Sequence, residues 1–370
     1  MPVLFTIGNE IRYEIVRKIF EGGMGIVYEA EQKGAQDFVK RVAIKVIRQN
    51  YTSQTQFIEN FIGEAKLVAD LIHTNIVQTY HLGEHSGSFF IAMELIRGVN
   101  LEQFSAQLKE KRRVLPIEIA VFIASRVARG LAYAHVKADK NGRPLGIVHR
   151  DVSFKNIMIA FEGDVKLTDF GIAKARGFLT DNEGEVVAGK ADFMSPEQAD
   201  FQITDRRSDL FSLGVVLSTL VLGYNIFKDA TPEKSRQRVI SMPIPDFRTL
   251  DRRVDERLDQ ILQRTLARRV AQRYPDADEV LYDLEHYIYH SGYGPTNETL
   301  GKLIRGLFGI RPAEGSTAGS AKGGTQILEK TARIGKKAEG NTQTASGSTR
   351  TGSSARRAGA TARSLPKKNP

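Results

Sequence analysis

The chain has 370 residues, 41% of them hydrophobic, which is enough for one large two-lobed domain or two ordinary ones. It contains no cysteine, which excludes disulfides, thiolate metal sites and cysteine nucleophiles. Of the net charge of +10, most lies at one end. Residues 311–370 hold 12 Lys and Arg against 3 Glu, so the remainder is nearly neutral and no specific nucleic-acid surface is expected on it.

Met1 to Tyr13 lacks a basic region followed by a long apolar run, so no signal peptide is expected, and a cytoplasmic location follows. Up to about Ala92, short β-branched runs alternate with glycine-containing turns. Arg12–Phe20, Gly25–Gln32, Val42–Arg48 and Phe89–Glu94 read as strands, with one helix over roughly Ser53–Leu71. Lys18–Ala30 reads K-I-F-E-G-G-M-G-I-V-Y-E-A and sets Gly22, Gly23 and Gly25 between two of these strands. Glycines there let backbone N–H groups approach phosphate oxygens, although such a cluster alone is more often a plain turn. Val42-Ala43-Ile44-Lys45 ends a strand-like run on a lysine whose charge needs a partner, and Glu64 on the predicted helix is a suitable one; a lone lysine there would more often be a snorkelling surface residue.

From Leu101 the periodicity becomes helical, and Ile117–His135 carries apolar residues at three-and-four spacing. His149–Asn156 reads H-R-D-V-S-F-K-N and Leu167–Gly171 reads L-T-D-F-G. Asp151 is a carboxylate able to accept or orient a hydroxyl proton, and Asn156 and Asp169 offer the hard oxygen ligands that Mg²⁺ prefers, with Mn²⁺ as an alternative ion. Leu210–Phe227 is nearly apolar, but its serines, threonine and glycines fit a buried helix better than a membrane span. Leu300–Phe308 is one more short amphipathic segment. Residues 311–370, rich in Gly, Ser, Thr, Ala and Lys/Arg, have too little apolar surface to offset ordering and are expected to be disordered.

Glycine loop, Lys, Glu, Asp, Asn, Asp in this order is highly specific, and on it the chain resembles the bacterial eukaryotic-like (Hanks-type) serine/threonine protein kinases from about Ile11 to Tyr289. The resemblance implies an α+β, two-lobed fold: a sheet-rich N-lobe over 11–95, a helical C-lobe over 96–290, a helical extension over 291–310 and the basic tail beyond. It implies transfer of the γ-phosphate of ATP to protein substrates. Phe20, Gly22, Gly23 and Gly25 look like the phosphate loop, Val27 and Ala43 like the adenine roof, and Met158 like its floor. Met93 looks like the gatekeeper, followed by the Glu94 carbonyl and Ile96 amide at the hinge.

By the same resemblance Lys45 and Glu64 form the phosphate-aligning pair, Asp151 is the catalytic base, and Asn156 and Asp169 hold the metal. Glu197 of Ser195-Pro196-Glu197 should meet Arg273, and Asp209 should anchor the catalytic loop. Three departures raise a rival reading as a nucleotide-binding scaffold without phosphotransfer: Phe20 replaces the first loop glycine, Ser153 the usual lysine, and Lys190 the usual threonine. Lys190 is expected to restore the charge missing at Ser153. Thr180 is the one hydroxyl between Ala175 and Ala188. In the tail, Thr325 and Thr331 have the spacing of sites read by phosphothreonine-binding partners.

Overall fold

The computed structural model describes residues 3–7, 11–22, 25–47, 62–63, 65, 68–170 and 191–310. Gly23, Glu64, Thr180, Lys190 and the tail lie outside them. Six antiparallel strands form the first sheet: β1 (Phe5–Ile7), β2 (Tyr13–Glu21), β3 (Gly25–Lys33), β4 (Val39–Ile47), β5 (Thr79–His85) and β6 (Ser88–Glu94), in the order β1-β2-β3-β4-β6-β5. Ile15, Ala30, Val42, Ile44, Phe90 and Ala92 point to one face and make its small core. The β5–β6 hairpin turns on Ser86 and Gly87, both at positive φ, as a two-residue turn between right-twisted strands requires. Of the helix predicted over Ser53–Leu71, the described residues 62–63, 65 and 68–69 are helical, while Asp70 is in a turn and Leu71 lies outside the helix.

A second, three-stranded sheet joins β7 (Gly98–Asn100), β8 (Ile157–Ala160) and β9 (Val165–Leu167). It is tied to the first lobe through residues 75–77. The Val77 N–H donates to the Leu167 carbonyl, the Leu167 N–H to the Asn75 carbonyl (both 2.8 Å), and Asn75 Nδ2 to the Val165 carbonyl at 2.9 Å.

The rest of the second lobe is helical: α1 (Leu101–Glu110), α2 (Ile117–His135), α3 (Pro196–Ala199), α4 (Arg206–Leu222), α5 (Pro232–Ser241), α6 (Phe247–Leu250), α7 (Glu256–Thr265), α8 (Ala277–Tyr289) and α9 (Asn297–Phe308). Helix α2 has the limits its periodicity predicts and is buried along nearly its whole length between α4 and α8. Helix α4 is the apolar stretch. Every residue from Ser208 to Val221 is buried, and the hydroxyls of Ser212, Ser218 and Thr219 satisfy themselves on carbonyls three or four residues back. Gly223, at φ +77°, ends it. No helix among the described residues is long and apolar enough to cross a membrane.

Candidate active site

The Lys45 position is fixed by the sheet. In β4, Ala43 pairs with Met93 of β6 and Lys45 with Val27 of β3, so the expected roof, gatekeeper and lysine positions are neighbours in one register. Lys45 Nζ lies 2.6 Å from Asp169 Oδ1, joining the first lobe to residues 168–170. Behind Met93 a narrow cavity is lined by Lys45, Ala65, Val68, Ile91 and Phe170.

Asp169 and Arg150 adopt left-handed backbone, at φ +55° and +58°, which costs a non-glycine residue energy that the surroundings must supply. Those surroundings are dense. Phe170 is buried and its ring sits 4.5 Å from that of His149. His149 Nδ1 accepts the Asp151 N–H at 3.2 Å, which leaves the proton on Nε2 to donate to the Thr168 carbonyl at 3.1 Å. Complete burial pushes the His149 pKa down, so the ring is neutral and suited to this one-donor, one-acceptor role.

The loop backbone is held from beneath. Asp209, in the first turn of α4, accepts the His149 N–H (2.8 Å) on Oδ2 and the Arg150 N–H (2.7 Å) on Oδ1, while His135 Nε2 lies 2.8 Å from Oδ2. Gln198, at the third position of α3, donates to the Arg150 carbonyl at 2.9 Å and also closes a capping box with Ser195. Asn156 follows from a 3₁₀ turn and donates Nδ2 to the Asp151 carbonyl (2.9 Å) and to Asp151 Oδ2 (2.8 Å). Its backbone carbonyl accepts the Thr168 N–H at 3.0 Å. A continuous path of contacts thus runs from Lys45 through Asp169, Thr168 and Asn156 to Asp151. Ser153 is only 4% exposed, and its hydroxyl has no partner among the described residues.

On the cleft's other side, Phe20 is 56% exposed at the tip of β2. The Gly22 N–H donates to the Gly25 carbonyl at 2.9 Å; a Cβ on Gly25 would stand 2.5 Å from the Val46 carbonyl, so only glycine fits there. Val42 and Glu94 form the last pair between β4 and β6, and Ile96 lies just beyond that ladder. The Glu94 side chain turns back to Lys166 Nζ of β9 at 2.9 Å. Met158 is on β8, opposite Asn100 and Lys166. Farther down, Glu197 and Arg273 form a buried bidentate pair at 2.6 and 2.7 Å, and Ser208 adds its hydroxyl to Glu197 at 2.6 Å. Burial raises the Glu197 pKa, but the hydrogen bonds and charge of Arg273 outweigh it and hold the carboxyl below its usual range.

Sequence reasoning alone does not reach His149 as a tie, His135, Gln198 or the Lys166–Glu94 clamp. Each is a polar residue whose partner is distant in sequence. A lone histidine at the end of an apolar helix carries no signal beyond being buried.

Residues 13–287 match the protein kinase domain family, and the chain belongs to that family, in its bacterial eukaryotic-like branch. It is 34% identical over 300 residues to the tyrosine-protein kinase MasK of Myxococcus xanthus, covering 80% of this chain and 46% of the relative. The serine/threonine-protein kinase PrkC of Bacillus subtilis is 37% identical over 221 residues, covering 59% of this chain and 32% of the relative. The chain therefore spans less than half of either relative's length. The crystal structure of the Mycobacterium tuberculosis PknI kinase domain superimposes with a TM-score of 0.57 at 26% identity, over 74% of this chain and 94% of that one.

Proposed function

We propose that this chain is an ATP-dependent protein kinase that phosphorylates serine and threonine hydroxyls, its own included, in bacterial signalling. The observation that carries this reading is the unbroken path of contacts from Lys45 to Asp151. A lysine that can meet phosphate charge and a carboxylate that can meet an acceptor hydroxyl are placed in one cleft. In this reading Lys45 aligns the α- and β-phosphates, with Glu64 beside it. The bond from the γ-phosphorus to the bridging oxygen of ADP breaks, the acceptor oxygen bonds to phosphorus, and its proton goes to Asp151. Val27, Ala43 and Met158 enclose the adenine, Met93 limits its depth, and the Glu94 carbonyl and Ile96 N–H read its edge. Phe20, Gly22, Gly23 and Gly25 cover the phosphates.

Asn156 commits its side-chain nitrogen to Asp151, which leaves its side-chain oxygen Oδ1, with the Asp169 carboxylate, as the hard donors that Mg²⁺ or Mn²⁺ accepts. The ion would neutralise phosphate charge. Ser153 is a buried, uncharged residue beside this centre, and Lys190 is our candidate for the missing cation. Thr180 phosphorylation adds to ordering without being obligatory. Thr325 and Thr331 are acceptor sites for a phosphothreonine-reading partner, and the enzyme works in the cytoplasm, where ATP is supplied.

Incubation with labelled ATP, Mg²⁺ and a generic protein acceptor, followed by phosphoamino-acid analysis, tests the reading. Label on serine and threonine is expected. Label confined to tyrosine would favour the acceptor named for MasK, and nucleotide binding without any transfer would establish a scaffold.

A further inference from the structure

Helix α9 docks on the back of the hairpin that carries Met158. Its buried stripe, Leu300, Ile304 and Leu307, explains why it packs against the second lobe. That stripe does not explain the contacts it makes with the β8–β9 turn, residues 161–164. Gly163, at φ +100°, lies against α9 so closely that a Cβ would meet the Asn297 carbonyl carbon and the Gly301 nitrogen at 2.7 Å. A Cβ on Gly301 would meet the Glu162 carbonyl oxygen at 2.6 Å. Two glycines thus bring backbone onto backbone. Asn297 Nδ2 donates to Asp164 Oδ1 at 2.7 Å, and Arg305 Nη1 donates to the Phe161 carbonyl at 2.7 Å.

Phe161 is the residue that connects this dock to the nucleotide cleft. Its N–H donates to the carbonyl of Arg97 at 2.9 Å, one residue after Ile96, while its carbonyl receives Arg305. From Phe161 the chain runs back through Ala160, paired with Gly98, to Met158, paired with Asn100. Hinge exit, β8 and α9 therefore share one hydrogen-bonded residue. Arg305 is only 20% exposed, so its bond is shielded from competing water.

We propose that α9 is a positioning element for nucleotide binding, with Arg305 holding Phe161, and through it the hinge exit and Met158, at the height adenine requires. Arg305 touches no substrate; it acts through Phe161. The inference rests on the reading above that Met158 is the adenine floor. It predicts that modification or binding which lifts α9 weakens nucleotide affinity and leaves the acceptor side alone.

The test uses the full chain and measures KM for ATP, KM for a protein acceptor, kcat, the Kd of a fluorescent ADP analogue and the thermal midpoint. Arg305→Ala is expected to raise both nucleotide constants roughly three- to tenfold, the worth of one shielded hydrogen bond, with kcat and the acceptor KM within about twofold. Arg305→Lys, which can still donate to the Phe161 carbonyl, should recover part of the loss. Asn297→Asp, which sets a carboxylate against Asp164 at an exposed contact, provides a variant that folds even if Arg305→Ala does not, and should shift the same constants in the same direction. A lowered thermal midpoint with unchanged nucleotide constants in both variants would overturn the inference. Met158→Ala separates the two claims: if it weakens ADP binding while the α9 variants do not, only the role of α9 falls, and if it has no effect the floor reading falls with it.

Discussion

Residues 149–156 and the strand end at Phe20–Gly22 serve the same triphosphate in the proposed reading, yet the first is packed into the second lobe and the other presents Phe20 to solvent. The first segment is fixed on several sides: Asp209 takes two of its backbone N–H groups, Gln198 donates to a third backbone atom, and neutral His149 ties it to Thr168. In the second, the Gly22 N–H donates to the Gly25 carbonyl and Phe20 is exposed at the strand end. Support is dense where bonds would change, because misplacing a reacting group by about 1 Å costs on the order of a hundredfold in rate. In that reading a segment that only covers phosphates has no such requirement, and Phe20 in place of its first glycine is expected to be compatible with catalysis.

The comparison breaks most readily at its densely supported end. Arg273→Ala leaves Glu197 charged and buried, and should destabilise the protein by about 3–5 kcal/mol in chemical denaturation. Asp209→Asn keeps the shape but turns one of the two acceptor oxygens that two N–H groups and His135 share into an NH₂ donor. It should lower kcat about a hundredfold while KM for ATP stays near wild type; an equal change in KM would mean that the loop also sets nucleotide affinity.

Acidification probes the same scaffold. Folding holds the pKa of both His149 and Glu197 below their ordinary values of 6.5 and 4.5. The unfolded chain therefore binds more protons in each window. Stability should be greatest above the ordinary histidine value, decline as His149 is forced towards protonation, and decline again as the pH falls from the ordinary carboxylate value through that of folded Glu197. Glu197→Gln should shrink the second decline, to which Asp205 and Asp251, also held below their ordinary values by their arginine partners, contribute, and leave the first. The smallest effect belongs to the exposed strand end: Phe20→Gly should change KM for ATP by roughly two- to threefold, with no loss of kcat.

Much of this architecture is legible in the chain because it rests on local pattern. The strands β2, β3, β4 and β6 lie within a few residues of their predicted limits, and α2 at its predicted limits, since burial on one face imposes its own period. Strand β5 reads T-Y-H-L-G-E-H, with no clean alternation and an interior glycine, and is a strand because β6 pairs with it. The three-residue strands β1 and β7 are too short to carry a period. Lys45 shows the same limit within the site. Charge balance calls for an acidic partner; Glu64, the expected one, lies outside the described residues, and the partner described is Asp169, 124 positions away, which no local pattern announces. Only the assembled lobes bring the two together. Asp209 and the Glu197–Arg273 pair were legible through resemblance, while His135 and Gln198 were not, because their partners are backbone atoms or a shared carboxylate on another element.

The central claim is that Asp151 handles the acceptor proton while nucleotide is held elsewhere. The direct measurement is to compare Asp151→Asn with the wild type for fluorescent ADP binding and for single-turnover transfer of the γ-phosphate to a protein acceptor. The account predicts unchanged binding and transfer slowed by roughly a hundred- to ten-thousandfold. Transfer at the wild-type rate in the variant would contradict it.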